Sequence, residues 1–266
     1  MTQPSEVNHK PVIAKNLVRN FGDTVAVDQL SFNVEPGEVY GLLGPNGAGK
    51  TTSVRMICGL LPPTSGAVEV FGFNPMTNPI EVKQRIGLVP EDQILYESLT
   101  PREFFDFIAS VRRLEQYKAQ TRIRTFVDAF EIGEYYDKPI AALSHGTRQK
   151  ISVISSLIHD PPLLVLDEPF SGLDARAARV FKDVLSFHLD KGGAILFSSH
   201  ILEIAEVLCT RIGIINEGQL VAEGTVKELR ETLKSDGTLE ELFLRATEQD
   251  AKIQETITAL RRVLSK

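Results

Sequence analysis

Apolar positions change their period several times along the chain, and each change marks an element. Between residues 12 and 40 apolar and polar side chains alternate, the period-two pattern of half-buried strands. Turn residues interrupt it at Asn20-Phe21-Gly22-Asp23 and at Glu35-Pro36-Gly37-Glu38. The pattern predicts antiparallel strands around hairpins. Glu38 to Leu43 reads as a strand running into a glycine-rich loop, and Thr51 to Leu60 as a helix closed by Gly59 and then Pro62-Pro63. Residues 66–73 read as another short strand pair. From 100 to 142 the period becomes helical. Thr100-Pro101-Arg102-Glu103 has capping-box spacing with proline in the first turn. Phe104, Phe105, Ile108 and Val111 follow at helical spacing, and a second helix is expected over about Gln120 to Phe130. Leu163–Leu166, Ala194–Phe197 and Ile212–Ile215 are continuous apolar runs, as strands buried on both faces require. Beyond Thr225 the chain is again helical, and Ile253, Ile257, Leu260 and Leu264 form one stripe that predicts a docked C-terminal helix. An α/β domain with a helical insertion is therefore expected.

Bulk charge narrows the function. The formal net charge is -6 and there is no basic tract, which disfavours a nucleic-acid partner, since duplex binding draws on clustered Lys and Arg. Cys58 and Cys209 are far apart and match no metal spacing, so they read as buried thiols in a reducing compartment. Residues 1–10 are polar and lack an apolar signal core. No apolar run approaches the ~18 residues of a membrane span. Work at a membrane would need another chain to supply the spans.

The chemistry starts at Gly44-Pro45-Asn46-Gly47-Ala48-Gly49-Lys50-Thr51-Thr52, which matches G-x-x-x-x-G-K-[ST] between an expected strand and an expected helix. Gly44, Gly47 and Gly49 let backbone N–H groups converge into an anion nest, and the helix N-terminus adds partial positive charge. Lys50 is placed to reach β and γ phosphates, and Thr51 to offer its hydroxyl to Mg2+. A chance glycine-rich turn rarely has this flanking context. Leu163 to Leu166 then runs into Asp167-Glu168. Asp167 is expected to hold Mg2+ through water or through Thr51, and Glu168 to be the general base for an attacking water. A strand followed by Asp-Glu is commonplace alone. The upstream phosphate loop gives it meaning.

Further motifs resemble those of the ABC-family ATPases. Leu143-Ser144-His145-Gly146-Thr147-Arg148-Gln149 resembles the family's signature motif, Ser171-Gly172-Leu173-Asp174 its D-loop, Ile86-Gly87-Leu88-Val89-Pro90-Glu91 its Q-loop, and His200 its switch histidine. Phe21 is similar to the aromatic that stacks on adenine, with Val27 packing beside the base. The resemblance covers residues 12–230, and five ordered motifs make it specific. It implies a P-loop, RecA-like α/β core with an antiparallel β-subdomain, an inserted α-helical subdomain at about 92–145, and a helical C-terminal extension over 231–266 behind a tail at 1–11. It also implies that two chains sandwich two ATP molecules, each site taking its phosphate loop from one chain and Ser144, His145, Gly146 and Asp174 from the other. Asp174 also reads as a helix cap. His200 would contact the γ-phosphate and orient Glu168 and water.

Two departures stand out. His145 and Thr147 replace the family's usual Gly and Gln, while the phosphate-touching Ser144 and Gly146 are kept. Glu91 replaces the Q-loop glutamine, so a carboxylate is expected among the Mg2+ ligands with Thr51 and Asp167; Gln93 is the alternative, two residues late. Glu91 together with the Leu239-Glu240-Glu241-Leu242-Phe243-Leu244 tail is most similar to ATPase subunits of ABC-2-type exporters. The resemblance implies a homodimer or heterodimer of ATP-binding subunits, peripheral at the cytoplasmic face of the membrane. A transmembrane permease subunit would dock near Glu91 and the helical subdomain, where Tyr96, Phe104 and Phe105 are candidate groove residues. Phe104 and Phe105 serve equally as subdomain core. A non-transport ABC ATPase of DNA repair or translation would carry long coiled coils or two cassettes, and neither is visible. A GTPase would carry an Asn-Lys-x-Asp motif, which is missing.

Overall fold

The computed structural model describes residues 9–247, so the Ile253–Leu264 stripe lies outside the described residues. Two sheets form the frame. Strands β1 (Val12–Phe21) and β2 (Thr24–Val34) pair antiparallel around the Gly22-Asp23 turn, and β4 (Ser65–Glu69) adds to the other edge of β1. The larger sheet contains β3 (Val39–Leu43), β5 (Ile86–Val89), β6 (Leu163–Asp167), β7 (Ala194–Ser199), β8 (Arg211–Asn216) and β9 (Gln219–Gly224), in the order β5-β6-β7-β3-β8-β9. All neighbours in it are parallel except β8 and β9. β3 and β6 are buried at every position, which is why they read as unbroken apolar runs rather than as alternation.

The second expected hairpin is a correction. The turn at 35–38 does not fold β3 back on β2; β3 pairs with β7 and β8. The turn carries the chain from the half-exposed antiparallel sheet to the buried parallel one. Arg211 anchors that passage, donating to both carboxylate oxygens of Glu38 (2.7 and 3.2 Å) and to the Asn33 carbonyl (2.6 Å). Residues 66–73 are not a strand pair either: β4 is followed only by a Val70–Phe73 bridge.

Helix α1 (Lys50–Ile57) follows β3 and packs between the sheets, where Val54, Met56 and Ile57 are buried. After α2 (Pro79–Arg85) the helical insertion comprises α3 (Pro101–Val111) and α4 (Gln116–Ala129), followed by short 3-10 turns at 133–135 and 140–142. The Thr100–Glu103 capping box forms in both directions, a term of about 1 kcal/mol. The second helix starts four residues earlier than the apolar spacing suggests because Glu115 caps Tyr117 and Lys118. Phe104 and Phe105 are buried in the subdomain core, while Tyr96 is exposed and rests on Phe104 and Phe107.

Helices α5 (His145–Leu157), α6 (Ala175–Asp190) and α7 (Leu202–Leu208) return the chain to the large sheet. Helices α8 (Val226–Leu233) and α9 (Leu239–Ala246) pack on each other, on α7 and on β9. Cys58 is buried and Cys209 half-buried; burial pushes both thiols up to about 12.

Candidate functional site

Four adjacent parallel strands, β5, β6, β7 and β3, end on the same side of the large sheet. Their carboxyl ends deliver Glu91, Asp167-Glu168, Ser199-His200 and the Gly44–Thr51 loop, respectively. The crevice outside such strand ends is where open α/β sheets bind ligands.

The loop wraps the start of α1. Gly49 caps that helix with φ 102° and no side-chain hydrogen bond. A side chain there would strike the Ala26 carbonyl as well as strain the backbone. The first N–H groups of α1 are therefore left for an anion. Lys50 is buried, and its ammonium donates to the carbonyls of Gly44 (2.7 Å) and Pro45 (3.1 Å). Burial lowers its pKa, opposed by the negative charges of Glu168, Asp167 and Glu91. A cavity of about 200 Å3 lies here, lined by Ala26, Asn46, Gly47, Gly49, Lys50, Thr51, Thr52, Glu91 and Glu168. Within the loop, Gly44 and Ala48 are buried and Pro45 is half-buried.

Val27 is fully buried in the core between the sheets, and its neighbour Ala26 lines the cavity. Successive strand residues face opposite ways, so one of the pair faces the core and the other the cavity. Phe21 stands away from this cavity at the hairpin tip, 48% exposed, with the Arg19 guanidinium 4.6 Å over its ring.

Glu168 is the most constrained residue of the site. Its backbone is left-handed, φ 49°, a conformation that costs a non-glycine residue about 1 kcal/mol or more. Its N–H donates to the Ser198 carbonyl (2.9 Å). The Ser199 hydroxyl donates to Oε2 (2.9 Å), and the His200 N–H (2.8 Å) and Nδ1–H (2.7 Å) both donate to Oε1. Strand β7 and His200, the residue that follows it, thus supply every one of these contacts, and the carboxylate is fixed in position with its neighbour imidazole. Ser198-Ser199 supports the reading of His200 in the sequence, but the bond from Ser199 to Glu168 has no local signal, because it crosses 31 residues of chain.

A metal ion fits beside Lys50. Asp167 is 2% exposed, and its Oδ1 has no hydrogen-bond partner, nor has the neighbouring Ser198 Oγ. An orphaned buried carboxylate oxygen is costly unless something pairs it. Burial pushes the Asp167 carboxyl up. The Thr51 hydroxyl donates to Glu91 Oε2 (3.1 Å). Among the described residues no set of three His, Cys, Asp or Glu side chains converges. Mg2+ asks for only one or two carboxylates when phosphates complete its shell. Gln93 is not part of this set. Its amide donates to the His145 carbonyl (3.1 Å) and to Gln149 Oε1 (2.9 Å), and Gln149 in turn donates to the Pro169 carbonyl (2.9 Å).

A second, larger cavity of about 730 Å3 shares no residue with the first. Ser144 caps α5, its hydroxyl accepting from the Thr147 N–H (3.2 Å). Asp174 caps α6 through the Ala177 N–H (2.7 Å) and pairs with Lys150 (2.8 Å); these bonds hold its carboxyl below the usual range. Ser144, Gly146 and Asp174 line this cavity together with Thr147, Lys150, Gly172 and the segment Glu131, Gly133, Glu134, Tyr135, none of the last four anticipated. His145 does not line it; its ring packs on Gly172.

The family model described as ABC transporter matches residues 27–171. The chain is 37% identical over 248 residues to the uncharacterized ABC transporter ATP-binding protein YhaQ of Bacillus subtilis, an alignment covering 91% of this chain and 82% of that one. It is 35% identical over 222 residues to the Nod factor export ATP-binding protein I of Burkholderia lata, covering 84% and 73% of the two chains. A solved ATP-binding subunit of an ABC transporter superposes with a TM-score of 0.85 at 30% identity, over 88% of this chain and 98% of that one.

Proposed function

The chain belongs to the ABC transporter family as an ATP-binding subunit, and from that premise we propose that it hydrolyses ATP at a site shared between two such chains and thereby drives export through a separate membrane-spanning partner. The observation that carries this reading is the pair of disjoint cavities. One has a phosphate cradle, a carboxylate base and no signature residue; the other has the α5 N-terminus and Asp174 but no phosphate loop. Each lacks what the other holds, and a head-to-tail pair of chains would join them.

In the joined site the open N–H groups of α1 and the Lys50 ammonium would hold the β and γ phosphates, and Phe21 at the hairpin tip would stack on adenine. Thr51, Asp167 and Glu91 would hold Mg2+, whose charge, when bound, neutralises charge developing on the phosphoryl oxygens. Glu168 would accept a proton from the attacking water, with Ser199 and His200 fixing its two oxygens. The half-exposed His200 ring is free to reach the γ-phosphate on its other side. Across the seam, Ser144, Gly146 and Lys150 would stabilise the γ-phosphate.

Tyr96 and Phe107 pack edge to face and are exposed, and Ile94, three residues after Glu91, is exposed as well, which suits the docking of a membrane subunit. No described helix is long and apolar enough to cross a membrane, so the spans would come from that partner and this chain would sit peripherally at the cytoplasmic face. The ATP-binding domain would run over 12–230, with the helical subdomain at 92–145 and the extension at 231–266. Export as the direction draws on the Burkholderia relative's description.

Complementation tests the shared site. Lys50→Ala and Ser144→Arg should each abolish hydrolysis alone. Mixed one to one, half the dimers are hybrids with one intact site of two, so about a quarter of the wild-type rate should return if the sites act independently. No recovery on mixing would sink the shared-site reading.

A further inference from the structure

Glu91 faces the Thr51 hydroxyl at 3.1 Å, on the wall of the cavity that also holds Lys50 and Glu168. Asp167 lies just behind, with Oδ1 unpartnered in a side chain that is 2% exposed. The charges around the phosphate loop are therefore three carboxylates against the Lys50 ammonium, which is itself committed to two backbone carbonyls. A triphosphate entering alone would meet net negative charge in a partly desolvated pocket, where like charges repel strongly. The same triphosphate carrying a divalent cation would meet two carboxylates and a hydroxyl able to complete the cation's shell.

We propose that Glu91 makes nucleotide binding conditional on a divalent cation: the pocket accepts the metal–nucleotide complex and rejects the free nucleotide. This rests on the reading of the cavity as an ATP site. Glu91 is the residue that sets the condition because its Oε2 accepts from the Thr51 hydroxyl on the cavity wall, so a charge change there would act directly beside the hydroxyl that would hold the cation. Glutamine in its place would keep one oxygen for the cation and remove the repulsion. Coupling of this kind is reciprocal, so the nucleotide should also tighten the cation, by the same factor.

The test is nucleotide affinity, measured by titration calorimetry on the full chain with ATP in Mg2+ and in EDTA. In the wild type the affinity should fall by at least about a hundred-fold on removing Mg2+. In Glu91→Gln the fall should shrink by about ten-fold or more, mainly because metal-free ATP binds better, one charge at contact range being worth about that factor. Glu91→Ala should shrink it as well, separating the charge from the amide. Asp92→Asn is the control. It removes an equal charge from the adjacent residue, whose carboxylate pairs outward with Arg55 at 3.6 Å and is 83% exposed, and it should leave the ratio unchanged. Mn2+ titration in the presence of ADP should show the reciprocal loss of cation affinity in Glu91→Gln. An unchanged ratio in Glu91→Gln, or an equal change in Asp92→Asn, overturns the inference while leaving the ATP site standing. Failure of the wild type to bind ATP in Mg2+ would overturn both.

Discussion

Replacing Glu168 by glutamine should remove catalysis while leaving the fold almost untouched. The carboxylate accepts three hydrogen bonds: from the His200 N–H and Nδ1–H on Oε1 and from the Ser199 hydroxyl on Oε2. The amide can keep its oxygen at the Oε1 position, where both His200 donors remain satisfied. Its nitrogen then faces Ser199 Oγ, which already accepts from the Ile201 N–H at 3.0 Å and has a second lone pair. The three bonds lose their charge assistance, roughly 1 kcal/mol each. The variant also no longer desolvates a buried charge, a gain of similar size. The left-handed φ of 49° is unchanged. Net stability should therefore move by no more than about 1–2 kcal/mol. An amide cannot take a proton from water, and losing a general base costs about 10²–10⁴-fold in rate. Single-turnover hydrolysis of labelled ATP measures the chemistry, urea unfolding the stability, and size-exclusion chromatography the ATP-bound dimer that should accumulate. Hydrolysis within ten-fold of wild type would show that Glu168 is not the base. A stability loss beyond about 3 kcal/mol would show that the hydrogen-bond reasoning is wrong.

Two other outcomes follow from geometry. A Cβ at Gly146 would lie 2.5 Å from the Gly172 carbonyl oxygen, backbone on backbone, so even Gly146→Ala should displace α5 from the Asp174 loop. Hydrolysis should fall steeply while the affinity of a single chain for Mg-ATP, measured by fluorescent-nucleotide titration, stays within about two-fold, because the phosphate loop is a separate cavity. His159 is pushed down to about 4 by burial and by the nearby Arg112, with its Nε2 on the Ile86 carbonyl. Unfolded, it binds its proton near the ordinary 6.5. The unfolded state therefore binds more protons between these values. Stability should fall by up to about 3 kcal/mol as pH drops from 6.5 to 4 and level off below. His159→Gln should flatten that part of the urea-midpoint profile, and an unchanged acid slope would refute the assignment.

How much of this was legible in the chain depends on how far apart the interacting residues are. The phosphate loop needs its glycines, Lys50 and Thr51 next to one another, between a buried strand and a helix start. Local spacing states all of that, and the structure builds it as expected. The buried strands and the Thr100 capping box are equally local. The family also follows from ordered short motifs, each of which is contiguous. Where two readings differed by one or two residues, local pattern could not choose. Val27 and Ala26 are neighbours on one strand, and only the twist of the hairpin against the loop decides which of them faces the cavity. Glu91 and Gln93 both follow β5, and only the packing of the helical insertion sends the first to Thr51 and the second to His145 and Gln149, 52 and 56 residues away. The turn at 35–38 has hairpin composition, yet the strand after it goes to another sheet, because Val39–Leu43 is apolar on both faces and finds cover only between β7 and β8. Sequence determined the chemistry of each segment, since that chemistry is set by side chains adjacent along the backbone. Tertiary structure decided which segments meet, and that they gather into two separate cavities, since both depend on contacts that no short stretch of sequence contains.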